Sequence, residues 1–313
     1  MKLDRNKPLL VTGAGGVLGK AVLALLEKEG FTRVLAPARS ELDFLDGAAT
    51  EKWFEKNHPA YVIHLASVVF GLGGNIKNQF RSVLENTSIN THFFSAVQRF
   101  PAEKIFFAGT VASYPFPYRT LPLAEEQFFE GMPHYGEFGY AMAKRHAFAF
   151  LHILQKEYGV KSTYGIFTNL YGAHDRFNVE TGHVIPSLVA KAFAAKKANA
   201  PLEVWGDGSA TRDFLHADDA ARAVLLCMEE DNTPDFINIS SGEAVTIGHV
   251  AKIIANAANV KELRFFKDKP VGIPERVVCN KKLRGLGFTQ QVSHQDGLAG
   301  TYAWYEKFQK TAR

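Results

Sequence analysis

Three glycines, Gly13, Gly16 and Gly19, follow directly on the apolar triplet Leu9-Leu10-Val11 and open a helical pattern; this junction constrains the fold more than any other feature of the 313 residues. A strand turning sharply into a helix needs no side chain at the turn (Gly13), close backbone approach to a ligand needs a second glycine (Gly16), and packing of helix on strand needs a third (Gly19). The start of such a helix leaves backbone N–H groups unpaired, which suits an anionic pyrophosphate. The run therefore predicts a dinucleotide cradle built from Gly13, Ala14, Gly15, Gly16, Val17, Leu18 and Gly19. Short apolar strands over Arg33–Ala36, Tyr61–Leu65, Lys104–Phe107 and Ser162–Phe167 alternate with helices over Gly19–Glu29 and Gly139–Tyr158. That alternation predicts an α/β fold with a Rossmann-type doubly wound parallel sheet over residues 1–172. From Asp175 the chain turns polar and its rhythm shortens, which predicts a smaller, interwoven α/β substrate-binding lobe over residues 173–313 with an approximate boundary.

Composition narrows the class. A hydrophobic content of 46% and a charged content of 22% fit an ordinary globular chain rather than a disordered one. The formal charge of +4 comes from scattered Lys and Arg with no basic run, so an anionic small ligand is expected and a nucleic-acid partner is not. Cys227 and Cys279 lack metal-ligand spacing, so neither a metal site nor a disulfide is expected. The start of the chain runs straight into a strand, and no apolar run is long enough to span a membrane; a cytoplasmic protein with no membrane partner is expected.

Chemistry enters at three places. The second strand ends Ala36-Pro37-Ala38-Arg39 with no acid to meet a ribose 2′-hydroxyl, so Arg39 points to a 2′-phosphate and hence to NADPH. Asp46, Leu65 and Ala66 fall where such folds approach the adenine and the middle of the cofactor. Tyr140 and Lys144 stand four residues apart, on one helical face, where a tyrosine can give a proton to an alkoxide and an ammonium can stabilise the phenolate left behind. A third hydroxyl belongs at the end of the preceding strand, Ala108-Gly109-Thr110, and both Thr110 and Ser113 are candidates.

The segments Thr168-Asn169-Leu170-Tyr171-Gly172, Gly182-His183-Val184-Ile185-Pro186, Val204-Trp205-Gly206-Asp207-Gly208 and Arg212-Asp213-Phe214-Leu215-His216 then make the chain resemble the GDP-L-fucose synthases of the extended short-chain dehydrogenase/reductase family over nearly its whole length. The resemblance favours Thr110, four residues before the Tyr114-Pro115 pair. It implies a catalytic set of Thr110, Tyr140, Lys144 and His183, with Ala108, Gly109, Phe167, Asn169, Leu170 and His183 along the cofactor. It also implies Asn169, Lys191, Trp205, Arg212 and Lys269 on a GDP-linked keto-sugar, and a homodimer through the helix of Tyr140.

Three departures matter. Where the family carries a cysteine that shares C3/C5 epimerisation with the histidine, this chain has Ala112, and a methyl group moves no proton. Val271 stands where the family pattern has an acid, and Lys191 where it has arginine, which keeps charge but loses the planar fork. The expectation is an NADPH-dependent 4-keto reductase of a GDP-4-keto-6-deoxy-sugar, hexose or heptose, without epimerase activity. Three alternatives stay open: a bifunctional epimerase and reductase, an NAD-dependent nucleotide-sugar 4-epimerase or dehydratase, and an NADP-binding protein without activity.

Overall fold

A computed structural model describes residues 2–70, 72–179, 182–269 and 272–311. The first half runs β1 (Leu9–Thr12), α1 (Val17–Lys28), β2 (Val34–Leu35), α2 (Gly47–Asn57), β3 (Tyr61–His64), α3 (Leu72–Lys77), α4 (Gln79–Arg99), β4 (Lys104–Thr110), α5 (Phe138–Tyr158) and β5 (Lys161–Phe167). The second half continues with β6 (Asn169–Tyr171), α6 (Val184–Ala198), β7 (Leu202–Trp205), β8 (Thr211–Arg212), β9 (Phe214–His216), α7 (Ala217–Glu229) and β10 (Phe236–Ile239). It closes with β11 (Val245–Thr246), α8 (Ile247–Ala257), β12 (Leu263–Phe266), β13 (Glu275–Arg276), α9 (Lys281–Gly285) and α10 (His294–Phe308).

Six parallel strands form one sheet in the order β10-β5-β4-β3-β1-β2. This is the Rossmann-type arrangement: the chain leaves β1 for β2 on one side and returns to β3 on the other, opening a crevice at the carboxyl ends of β1 and β3. The expected domain boundary near residue 172 does not close the sheet: its edge strand β10 comes from residues 236–239 and α7 packs beside α1. The chain thus crosses out into the second lobe and back before it ends.

Each face of the sheet buries its own apolar layer. Leu18, Val22 and Leu26, at helical spacing on α1, pack with Val224 and Met228 of α7 on one side. On the other, Phe93 and Phe94 of α4 pack against Phe107 and Tyr164 of the sheet, with Phe94 stacked on Phe150 of α5 at 5.0 Å. Asn90 of α4 donates Nδ2 to the Ala143 carbonyl at 2.8 Å, which fixes α5 lengthwise against its neighbour. The second lobe has a separate core in which α6, α8 and α10 enclose Val189, Leu202, Val204, Ile254 and Leu298.

Candidate active site

The glycine turn is shaped by close approach. Gly13 has φ 65°, and a Cβ there would lie 2.8 Å from the Ala66 nitrogen; a Cβ at Gly19 would lie 2.6 Å from the Ala14 Cα. Thr12, which the sequence reading passed over, ties this turn to β3: its Oγ1 accepts from the Leu65 and Ala66 amides at 3.0 Å each and lies 3.1 Å from His64 Nδ1. No side chain caps α1 at Gly16 and its first turn carries no acid, so the leading N–H groups are left to an anion. These features fit the pyrophosphate of a dinucleotide.

At the outer end of that crevice Arg39 donates Nε to Asp43 at 3.2 Å, and Glu41 accepts from the Ala38 amide at 2.8 Å. Arg39 therefore has a partner the strand-end reading did not include, but an exposed pair of this kind is worth little and yields to a dianionic phosphate. Arg39→Ala is expected to raise KM for NADPH about 10- to 100-fold while shifting KM for NADH far less, a comparison that steady-state kinetics with both cofactors would make. Asp46 is the N-cap of α2, its Oδ1 accepting from the Ala49 amide at 2.9 Å, so this carboxylate is engaged in helix capping.

Across the crevice, α5 carries Tyr140 and Lys144 on one face. The Lys144 ammonium is buried, donates to the Ala108 carbonyl at 2.8 Å, and sits 5.7 Å from the centre of the Tyr140 ring and 4.9 Å from that of Phe107. Burial pushes Lys144 down to about 7. Burial pushes the Tyr140 phenol up to about 12; the Ser67 hydroxyl opposes that rise and the Glu137 charge adds to it. Near neutral pH the phenol therefore holds its proton, and Lys144 stands between its charged and neutral forms. Thr110 ends β4 opposite Phe167 of β5, half-buried, its Oγ1 accepting from the Ala112 amide at 3.2 Å and its O–H left to donate. Ser113, the rival, is fully buried and donates to the Ala141 carbonyl at 3.2 Å.

The second lobe brings another group together. Lys191 of α6 lies 4.2 Å over the ring of Trp205, which is 44% exposed at the end of β7, and feels the charge of the exposed Lys269. Burial holds Lys191 below the usual lysine range. An exposed indole flanked by cations can cover a flat base or ring beside a phosphate. Arg212 of β8 is half-buried and donates to the carbonyls of Thr211 (2.7 Å) and Pro274 (3.4 Å). Burial, reinforced by Arg276, pushes it down to about 10. His183 is exposed at the N-cap of α6 without capping the helix through its side chain, and it opposes the rise that burial imposes on the Asp175 carboxyl. Phe167 is buried at the end of β5, and Asn169 donates Nδ2 to the Asp213 carbonyl at 3.0 Å beside the half-buried Leu170. Val271, where the sequence departs from the expected acid, lies outside the described residues. Among the described residues no group of His, Cys, Asp and Glu could hold a metal ion, and no helix is long and apolar enough to cross a membrane.

Residues 9–240 match the model of the NAD dependent epimerase/dehydratase family. The chain belongs to that family. GDP-L-fucose synthase 1 of Arabidopsis thaliana is 31% identical over 306 residues, which are 97% of this chain and 94% of the relative. A GDP-L-fucose synthetase from Naegleria fowleri, solved bound to NADP, matches with a TM-score of 0.91 and 30% identity over 100% of this chain and 98% of that one. A GDP-mannoheptose C4 reductase from Campylobacter jejuni, solved with NADP bound, matches with a TM-score of 0.87 and 25% identity over 97% and 99%. Within the family the chain is GDP-L-fucose synthase-like.

In this epimerase/dehydratase family member, several residues that frame the site have no role assigned from the sequence, Asp213 among them although it stands in a segment that carries the resemblance. Asp213, fully buried beside Arg212, accepts from the Ser241 and Gly242 amides at 3.1 and 3.0 Å while its carbonyl accepts from Thr168 Oγ1 at 2.8 Å. Burial pushes it up to about 6. Glu137, Tyr118 and Arg276 form a buried ionic group next to Arg212. Their partners lie far off in the chain, so no spacing rule could pair them.

Proposed function

We propose that this protein is an NADPH-dependent oxidoreductase that reduces the C4 ketone of a GDP-linked 4-keto-6-deoxy-sugar, hexose or heptose, without epimerising C3 or C5. The observation that carries the reading is the Thr110, Tyr140 and Lys144 group at the carboxyl end of the sheet, beside the glycine cradle, with the buried methyl of Ala112 where the resembled synthases have a thiol. When bound, the nicotinamide supplies a hydride. Tyr140 gives its proton to the oxygen that turns into alkoxide, and Thr110 donates a hydrogen bond to the same oxygen, so the charge forms where donors already stand. Lys144 then faces the phenolate and regains the partner its buried charge lacks. Arg212, with Lys191 and Lys269, meets the diphosphate, and Trp205 covers a ring of the nucleotide-sugar. The carry-over of GDP and of the cofactor is supported by the GDP-L-fucose synthases and the NADP-bound synthetase among the relatives.

The bifunctional reading is favoured by those same relatives, whose names are those of GDP-L-fucose synthases. One experiment separates the two. Purified protein is mixed with NADPH and GDP-4-keto-6-deoxymannose in deuterated water, absorbance is followed, and the product is examined by NMR. Consumption of NADPH with protium kept at C3 and C5 is expected; deuterium at those carbons would show that His183 works with a partner other than residue 112.

Two further expectations belong to this reading. A homodimer through α5 and its neighbour α4 would cover Phe80 (78% exposed), Leu84 and Tyr135 (81%), and light scattering at twice the chain mass would show it. The two free thiols, Cys227 and Cys279, fit a reducing cytoplasm.

A further inference from the structure

Two guanidinium groups stand side by side in the second lobe and differ in what they meet. The parallel pairing of β13 with β8 sets Arg276 opposite Arg212. Arg276 is buried and each of its three nitrogens has a partner: Nη1 and Nη2 donate to the two carboxylate oxygens of Glu137 at 3.3 and 2.5 Å, and Nε donates to the Tyr118 hydroxyl at 2.8 Å. Among the described residues Arg212 hydrogen-bonds only the carbonyls of Thr211 and Pro274, and it feels the Glu137 charge without a hydrogen bond to it. Of the pair, then, one cation is ion-paired with a carboxylate and the other is hydrogen-bonded to neutral carbonyls.

The neutralising carboxylate has a particular address. Glu137 is the residue immediately ahead of α5, three positions before Tyr140, and Tyr118 belongs to the segment that follows Thr110. A bidentate fork fixes direction as well as distance, and an α-helix transmits a shift at its first residue along its axis. The clasp therefore joins the strand pair bearing Arg212 to the helix bearing Tyr140.

We propose that Arg276, clasped by Glu137 and Tyr118, is a positioning residue that is withheld from the substrate's diphosphate and sets the distance between the diphosphate anchor, Arg212, and the proton donor, Tyr140. This rests on the reading above, in which Arg212 takes the diphosphate and Tyr140 the alkoxide. Glu137 keeps the second guanidinium out of the anion site, so the diphosphate has one arginine anchor and one register. With both arginines available, the anion would bind more tightly and in more than one place, and the sugar carbonyl would spend less time against Tyr140.

The consequence is a pair of substitutions with opposite effects on binding and the same effect on turnover. Glu137→Gln keeps a hydrogen-bond acceptor but removes the charge, which releases Arg276 toward the diphosphate. Arg276→Gln breaks the clasp without releasing a cation and leaves the Glu137 carboxylate to compete for Arg212. With GDP as probe and NADP-loaded enzyme in the calorimeter, Glu137→Gln is expected to lower Kd about 3- to 10-fold and Arg276→Gln to raise it by a similar factor. In both, kcat with the keto-sugar is expected to fall about 10-fold or more. Tyr118→Phe removes one hydrogen bond and no charge, so it serves where either charge variant fails to fold; it is expected to lower kcat several-fold and leave the GDP Kd within about 2-fold of the native value. A purely structural clasp would weaken GDP binding in both charge variants, so Kd changes of the same sign, or kcat unchanged in variants that fold, would overturn the proposal. If Glu137→Gln or Arg276→Gln does not fold, native turnover and native GDP affinity in Tyr118→Phe would overturn it. Absence of turnover by the native enzyme on every GDP-keto-sugar would instead count against the functional reading, while the GDP affinities would still test the clasp.

Discussion

Lys144→Met is expected to lower kcat by about 100-fold or more while raising the melting temperature of the ligand-free protein. The loss follows from removing the charge that faces the Tyr140 phenolate, a contribution in the range of general acid-base effects. The gain follows from burial: the Lys144 ammonium has one backbone carbonyl at 2.8 Å and, among the described residues, no carboxylate partner, and burial pushes it down to about 7 from the 10.5 of a free lysine. Below about pH 7 both states carry the charge and the folded state bears the full cost of burying it. Between about pH 7 and 10.5 the folded chain has released a proton that the unfolded chain still holds, so stability rises with pH through that window. The stabilisation by methionine is therefore expected to be largest at or below pH 7 and to fade toward pH 10.5, which melting curves of the two proteins across that range would check. Tyr140→Phe tests the same step from the acid side: kcat is expected to fall about 100- to 10,000-fold with NADPH binding retained, because the ring remains and only the donated proton is lost.

Arg212→Ala is expected to raise KM for the GDP-sugar by about 100-fold with a much smaller change in kcat, because the lost interaction is made equally in the bound substrate and in the transition state. The same variant should melt no lower than the native protein. Arg212 is half-buried and its pKa is pushed down to about 10 by burial and by Arg276, so the folded ligand-free state holds this charge at a cost. Kinetics in the keto-sugar and melting curves without ligand check the two halves. A lower melting temperature would mean that the bonds to the Thr211 and Pro274 carbonyls hold β8 in place, and that Arg212 is there for the fold.

Local features of the chain carried much of this outcome. The strand, glycine turn and helix from Leu9 to Lys28 are readable because adjacent residues cause them: apolar strand, absent side chains at the turn, apolar positions one helical turn apart. Tyr140 and Lys144 are readable for the same reason, since four residues on a helix put them on one face. Strand ends were less legible: β4 runs on to Thr110 where the apolar pattern suggests a stop at Phe107, because pairing with β5 continues through Ala108, Gly109 and Thr110. Arg39 shows the reverse limit, a residue whose type suggests a phosphate ligand while its pairing with Asp43 came only with the loop's conformation.

By itself, then, the sequence determined the parallel α/β sheet, the dinucleotide turn and the tyrosine-lysine pair, each set by interactions within about one helical turn or one strand-to-helix junction. The tertiary structure alone decided that β10 returns to the sheet from residues 236–239, that the Ser113 hydroxyl is spent on α5, and that Glu137 meets Arg276 across 139 residues of chain. A charged side chain takes whichever partner packing brings within reach, and here that depended on the register of β13 beside β8, a long-range pairing to which no local spacing points.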